Sequence, residues 1–117
     1  MTGTTEVLQV TTGRTGLWMV VELAGELDVA ALPLFHQEIE RVCAGTPAPR
    51  VIIDLSAVTF MDSCGLGGLV RAWKQIGGPG GRLVLAGVNG RVREVLRITG
   101  MLAAFEIWEG VPGPAGE

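Results

Sequence analysis

The chain has 117 residues, a size that suits one domain and leaves no room for a separate catalytic partner domain. With 48% hydrophobic and 18% charged residues it is too apolar for a disordered or linker-type chain, so a packed core is expected. The net charge of −3 and the scattered Lys and Arg residues exclude the basic stripe that nucleic-acid binding needs, and no apolar run approaches the ~20 residues that span a bilayer.

The N-terminus carries no signal-peptide pattern, which leads us to expect a cytoplasmic chain with neither nucleic acid nor membrane among its partners. The two cysteines, Cys43 and Cys64, form no C-x-x-C pair, and one histidine is too few for a structural zinc site. Both cysteines are expected to be reduced.

In chain order, Leu8 and Val10 share one face of the segment 6–12. Leu17, Met19, Val21 and Leu23 share one face of the next segment, with Trp18, Val20 and Glu22 on the other. The turn-rich Thr12-Gly13-Arg14-Thr15-Gly16 between them predicts an antiparallel hairpin. Leu32, Phe35, Ile39, Val42 and Cys43 recur at helical spacing and predict a helix over 30–44, with Pro33 accepted in a first turn that has no N–H bond to lose. Val51-Ile52-Ile53-Asp54-Leu55 is almost continuously apolar, the mark of a central parallel strand covered on both faces.

Past a short loop, Leu66, Leu69, Val70, Trp73 and Ile76 predict a second helix, ended by Gly77-Gly78-Pro79-Gly80-Gly81. Leu83-Val84-Leu85-Ala86 is the next buried strand. Asn89 is placed to cap a third helix with Val92, Val95, Leu96 and Thr99 on its inner face, stopped at Gly100. Phe105-Glu106-Ile107-Trp108 suits a short edge strand, and the Gly- and Pro-rich tail 110–117 is expected to be unstructured. The result is one domain over 1–109, an α/β sandwich. Its mixed sheet has four to five strands, an antiparallel N-terminal hairpin and then right-handed parallel crossovers, with helices packed against it.

The informative stretch is Asp62-Ser63-Cys64-Gly65-Leu66-Gly67-Gly68, where a buried strand leads into a helix start. Such starts collect at one edge of a parallel sheet, where ligands and partners bind. A hydroxyl on Ser63 there faces unpaired backbone N–H groups and the positive end of the helix dipole, so a phosphate is tolerated on it. Gly65, Gly67 and Gly68, lacking Cβ, let another chain or a phosphate come close. The same residues equally suit a plainer arrangement in which Ser63 is an ordinary N-cap and the glycines allow tight helix packing. Both remain open on the residues alone.

An enzyme is not expected. The chain has no G-x-S-x-G elbow, no Walker A lysine and no G-x-G-x-x-G after a strand, and its one imidazole, His36, lies on a different helix from Ser63. No cofactor, metal or catalytic residue is assigned.

The stretch 51–69, with Val58-Thr59-Phe60-Met61-Asp62-Ser63-Cys64-Gly65-Leu66-Gly67 at its heart, resembles the signature of the STAS family, in particular its bacterial anti-sigma factor antagonists. Gly25-Glu26-Leu27-Asp28 after the second strand resembles that family's early motif, and Val95-Leu96-Arg97-Ile98-Thr99-Gly100-Met101 with Phe105 its C-terminal helix and final strand. The resemblance runs over nearly the whole chain in the same order. It implies a STAS-type sandwich that works by protein binding. Ser63, directly after the motif aspartate Asp62, would be phosphorylated by an anti-sigma factor serine kinase and restored by a serine phosphatase. The unmodified form would bind the anti-sigma factor and free the sigma factor.

The partner-binding residues it implies are Asp28, Asp62, Ser63, Cys64, Gly65, Leu66 and Gly67. Cys64 departs from the pattern, because many members carry a second serine there. The rival reading is a non-phosphorylated STAS scaffold subunit of a stress-signalling or lipid-transport complex. A monomer or weak homodimer is expected.

Other residues have two readings each. Asp28 either orients the Ser63 loop or is a turn former. Cys64 is either a thiol activated by the helix start or a half-buried packing residue. Arg91, Arg93 and Arg97 are either phosphate-seeking or a solvated face. Trp18, Trp73 and Trp108 belong to the core or its rim.

Overall fold

Val51, Ile53 and Leu55 send their side chains to one face of the central strand and Ile52 to the other, and all four are fully buried. Both faces of this strand are therefore covered, as its unbroken apolar run requires. The computed structural model describes residues 8–78 and 80–112. Its elements are β1 (Gln9–Thr15), β2 (Trp18–Leu27), a 3₁₀ turn (Val29–Ala31), α1 (Leu32–Cys43), β3 (Arg50–Met61), α2 (Ser63–Gly77), β4 (Arg82–Ala86), α3 (Gly90–Ile98) and β5 (Glu106–Trp108). One sheet holds the five strands in chain order. β1 and β2 are antiparallel and every later pair is parallel.

The main core joins one face of this sheet to all three helices, through Phe35 and Ile39 of α1, Leu69, Ala72 and Ile76 of α2, and Val92 and Leu96 of α3. Burying each of the larger side chains contributes ~1.5–3 kcal/mol. Trp73 packs against Phe105 with ring centroids 5.3 Å apart and the ring planes tilted by 53°. A smaller cluster of Trp18, Val20, Ile52, Val84 and Ala86 lies on the opposite face. There Trp18 meets Trp108 edge to face at 5.1 Å.

The structure revises several expectations. β1 runs through the supposed turn as far as Thr15, which pairs with Trp18, and the reversal needs only Gly16 and Leu17. Gly16 supplies the positive φ of 57° that a two-residue hairpin turn demands. Leu17, grouped on one strand face with Met19, Val21 and Leu23, is consequently in the turn and 75% exposed.

β3 does not end at Leu55 but continues to Met61. Its pairing with β4 stops at Asp54, opposite Ala86, while its pairing with β2 goes on to Leu27–Met61 across two irregularities in register. The Gly25-Glu26-Leu27 motif accordingly lies inside β2 rather than after it, with Gly25 at φ 110° beside one of those irregularities.

Thr99 is the exposed C-cap of α3 instead of part of its inner face, and its hydroxyl donates back to the Val95 carbonyl at 2.8 Å. The tail has no regular element at 110–112, yet Val111 packs on the second cluster and the Pro112 carbonyl accepts from the buried Thr15 hydroxyl at 3.2 Å. Residues 113–117 of the expected tail, like 1–7, lie outside the described residues.

Candidate functional site

β2 and β3 finish in step, with Leu27 paired to Met61. One residue later, Asp28 and Asp62 both adopt extended backbone (φ −129°, ψ −171° and φ −112°, ψ −171°) and both cap the element that follows. Asp28 Oδ1 accepts from the Ala31 amide at 3.2 Å, and Asp62 Oδ1 accepts from the Gly65 amide at 2.9 Å. A carboxylate here accepts from one of the unpaired N–H donors of the first turn and neutralises the positive end of the helix.

The cap of α2 is thus Asp62, and Ser63 is not the N-cap but the first helical residue. Its side chain is exposed, as is that of Cys64. The amides of these two residues precede the first intrahelical bond, Leu66 N–H to the Asp62 carbonyl at 2.9 Å, so α2 itself offers them no acceptor. Cys64, read as either reactive or half-buried, is a free thiol facing solvent.

The three glycines divide by environment. A Cβ on Gly65 would lie 2.1 Å from the Leu27 carbonyl oxygen, so the first turn of α2 rests directly on the end of β2. A Cβ on Gly68 would lie 2.6 Å from Leu32 Cδ2, where α2 crosses α1. Gly67 alone of the three faces open space. Of the seven residues assigned to partner binding, the structure turns Gly65 and Leu66 inward, where they shape the site from beneath. It turns Ser63, Cys64 and Gly67 outward and leaves Asp28 and Asp62 half-buried between them.

Asn89 has a larger part than its capping role suggested. Its Oδ1 accepts from the Val92 amide at 3.1 Å, which caps α3, while its Nδ2 donates to the Leu55 and Val58 carbonyls at 3.1 and 2.9 Å. Those carbonyls belong to the part of β3 that has outrun β4, so one side chain replaces two missing ladder bonds and fixes the strand that delivers Asp62 and Ser63. The Thr59 hydroxyl adds a bond to the Gly25 carbonyl at 3.3 Å.

The three arginines of α3 do not act together. Arg91 lies over the Phe60 ring at 5.1 Å, Arg97 pairs with Glu94 at 2.6 Å, and Arg93 is exposed. His36 packs toward Gly68 at the α1–α2 crossing, with a buried Nδ1 that has no hydrogen-bond partner among the described residues. Burial lowers its pKa below 6.5, the Arg71 charge lowers it further, and Glu40 opposes. A cavity of about 430 Å³ between Arg14, Met19, Arg41, Val42 and Arg50 lies at the opposite end of the parallel strands from Ser63. Among the described residues no His, Cys, Asp and Glu side chains gather into a metal site, and no helix is long and apolar enough to cross a membrane.

A five-stranded mixed sheet backed by three helices, with twin aspartate caps at its rim and an exposed serine opening the middle helix, defines an α/β domain of the STAS type. The STAS domain model matches residues 9–112, and the chain belongs to that family. It is similar to the anti-sigma F factor antagonist of Paenibacillus polymyxa, at 26% identity over 91 residues covering 78% of each chain. The anti-sigma-B factor antagonist of Bacillus subtilis is 32% identical over 87 residues, 74% of this chain and 78% of that one. The crystal structure of an anti-sigma factor antagonist from Mycobacterium paratuberculosis superposes with a TM-score of 0.78 at 27% identity, over 89% of this chain and 87% of the other.

Proposed function

We propose that this chain is a cytoplasmic anti-sigma factor antagonist that acts by binding rather than by catalysis. Unphosphorylated, it binds an anti-sigma factor that is also a serine kinase and thereby frees a sigma factor; phosphorylation at Ser63 abolishes that binding, and a serine phosphatase restores it. One observation carries the reading: Ser63 is exposed at the first position of α2 while Asp62 already serves as the cap. The hydroxyl is therefore available to a kinase without loss of a structural hydrogen bond. The names of the relatives support the same role.

The mechanism is electrostatic. A phosphate brings roughly −1.5 to −2 charges to a rim that already holds Asp62 and, one strand over, Asp28. The free amides of Ser63 and Cys64 and the helix dipole stabilise the anion on the fold's own side. A partner docking from outside must instead desolvate this concentrated negative charge, which opposes binding. Affinity switches while the fold stays intact.

Incubation with ATP and the anti-sigma factor kinase of the same organism, followed by intact-mass and peptide mapping, tests the reading. A single phosphate on Ser63 is the expected product. Phosphate elsewhere, or none with a kinase active on another substrate, turns the assignment toward the scaffold alternative.

A further inference from the structure

Parallel strands β2 and β3 are paired at Leu27 and Met61 and continue identically, each through an aspartate cap into a helical turn. Two residues past the pair stand Val29 on one connection and Ser63 on the other, each the first residue of its turn. The first turn of α2 rests on the Leu27 carbonyl, at the root of the connection that carries Val29, so both positions lie on one rim. Val29 is 64% exposed. A branched apolar side chain gains nothing there in the free protein, since Asp28 supplies the cap and Ala31 the buried contact of that turn.

We infer that Val29 is the apolar anchor of the surface whose switch is Ser63, and that its occupant is the anti-sigma factor. The inference rests on the function proposed above and assigns to that same site a second, chemically different contact. Interfaces draw most of their affinity from a few apolar or aromatic groups that become fully desolvated, with polar groups around them setting specificity. A valine beside the modifiable serine provides the first, and the Asp28–Asp62–Ser63 group provides the second. A phosphate on Ser63 then acts next to the affinity-giving contact, where its charge has the greatest effect on the partner.

The test compares Val29→Lys with Leu17→Lys and Ile98→Lys, because Leu17 and Ile98 are 75% and 68% exposed but belong to the β1–β2 turn and the end of α3. Binding of the unphosphorylated chains to the anti-sigma factor is measured by calorimetry, and the melting temperature of each variant checks folding. The expected result is about a tenfold or greater loss of affinity for Val29→Lys, with the two controls within about twofold of wild type and all melting temperatures alike. The kinase reaction on Val29→Lys should show a raised KM for the chain with kcat retained.

Wild-type affinity in Val29→Lys overturns the inference while leaving the proposed function standing. Loss of self-association with unchanged partner binding also overturns it, by assigning Val29 to a contact between copies. Failure of the wild-type chain to bind the anti-sigma factor overturns the function itself and this inference with it.

Discussion

Asp28 and Asp62 are equivalent residues on neighbouring strands: each follows one member of the Leu27–Met61 pair, and each closes a first turn with an Oδ1 bond to the amide three residues on. The two caps set the backbone at the rim and leave the next side chains, Val29 and Ser63, free to face outward. Replacing Asp62 with Ala should cost ~0.5–2 kcal/mol of unfolding free energy, whereas Asp62→Asn should recover most of it, since an amide oxygen also caps. Asp28→Ala should cost less, because its bond is longer and serves only a three-residue turn. Urea unfolding of the variants measures all of these differences.

The glycines give an ordered series. Gly65→Ala should be the most damaging, because its Cβ would fall 2.1 Å from a backbone oxygen that cannot move without shifting β2. Gly68→Ala should be milder, since the obstructing atom is the end of the Leu32 side chain. Gly67→Ala should stabilise by up to ~1 kcal/mol through helix propensity, the position being open. Thermal unfolding ranks the three, and an inverted order would refute the packing described.

Asn89 serves two ends of the structure through different atoms. Asn89→Asp keeps the acceptor for Val92 but has no N–H to give Leu55 and Val58. Asn89→Ala loses both functions. Unsatisfied buried groups cost ~1–3 kcal/mol each, and the Asp carboxylate would in addition face two carbonyl oxygens, so both substitutions should destabilise. Amide hydrogen exchange should quicken first at the β3 end that carries Asp62.

His36 makes stability depend on pH. Burial and Arg71 hold its folded pKa below 6.5, so the unfolded chain binds the proton more readily. Stability from this residue is present above pH 6.5 and is lost as pH falls through 6.5 toward the folded pKa. Glu40 opposes the shift without reversing it. The melting temperature should therefore drop between pH 7.5 and 5.5 more in wild type than in His36→Gln. Parallel pH profiles for the two chains would exclude the assignment.

Local pattern made most elements legible. Period-two alternation in β2, the apolar run of β3 and the Leu66–Ile76 stripe each encode their own environment, and the positive-φ glycines mark several of the turns. What escaped the sequence depends on partners distant in the chain. Residues 56–61 look like a loop because Ser56 and Ala57 break the apolar run, yet pairing with β2 on one side and the Asn89 side chain on the other keep them extended. Gly65, Gly67 and Gly68 are indistinguishable as letters and differ only in what lies opposite. Leu66 entered the partner set through the family resemblance, but it opens the apolar stripe that runs to Ile76 and packs in the core with it. The edge position of Ser63 was legible because a buried parallel strand followed by a glycine-rich helix start has one place to put such a residue.

Calorimetric titration of the anti-sigma factor with the unmodified chain and with the same chain stoichiometrically phosphorylated on Ser63 decides whether this serine is the switch. The switch predicts that affinity falls about a hundredfold or more, with circular dichroism and melting temperature essentially unchanged. Equal affinities for the two forms, or a loss of binding accompanied by unfolding, would contradict it.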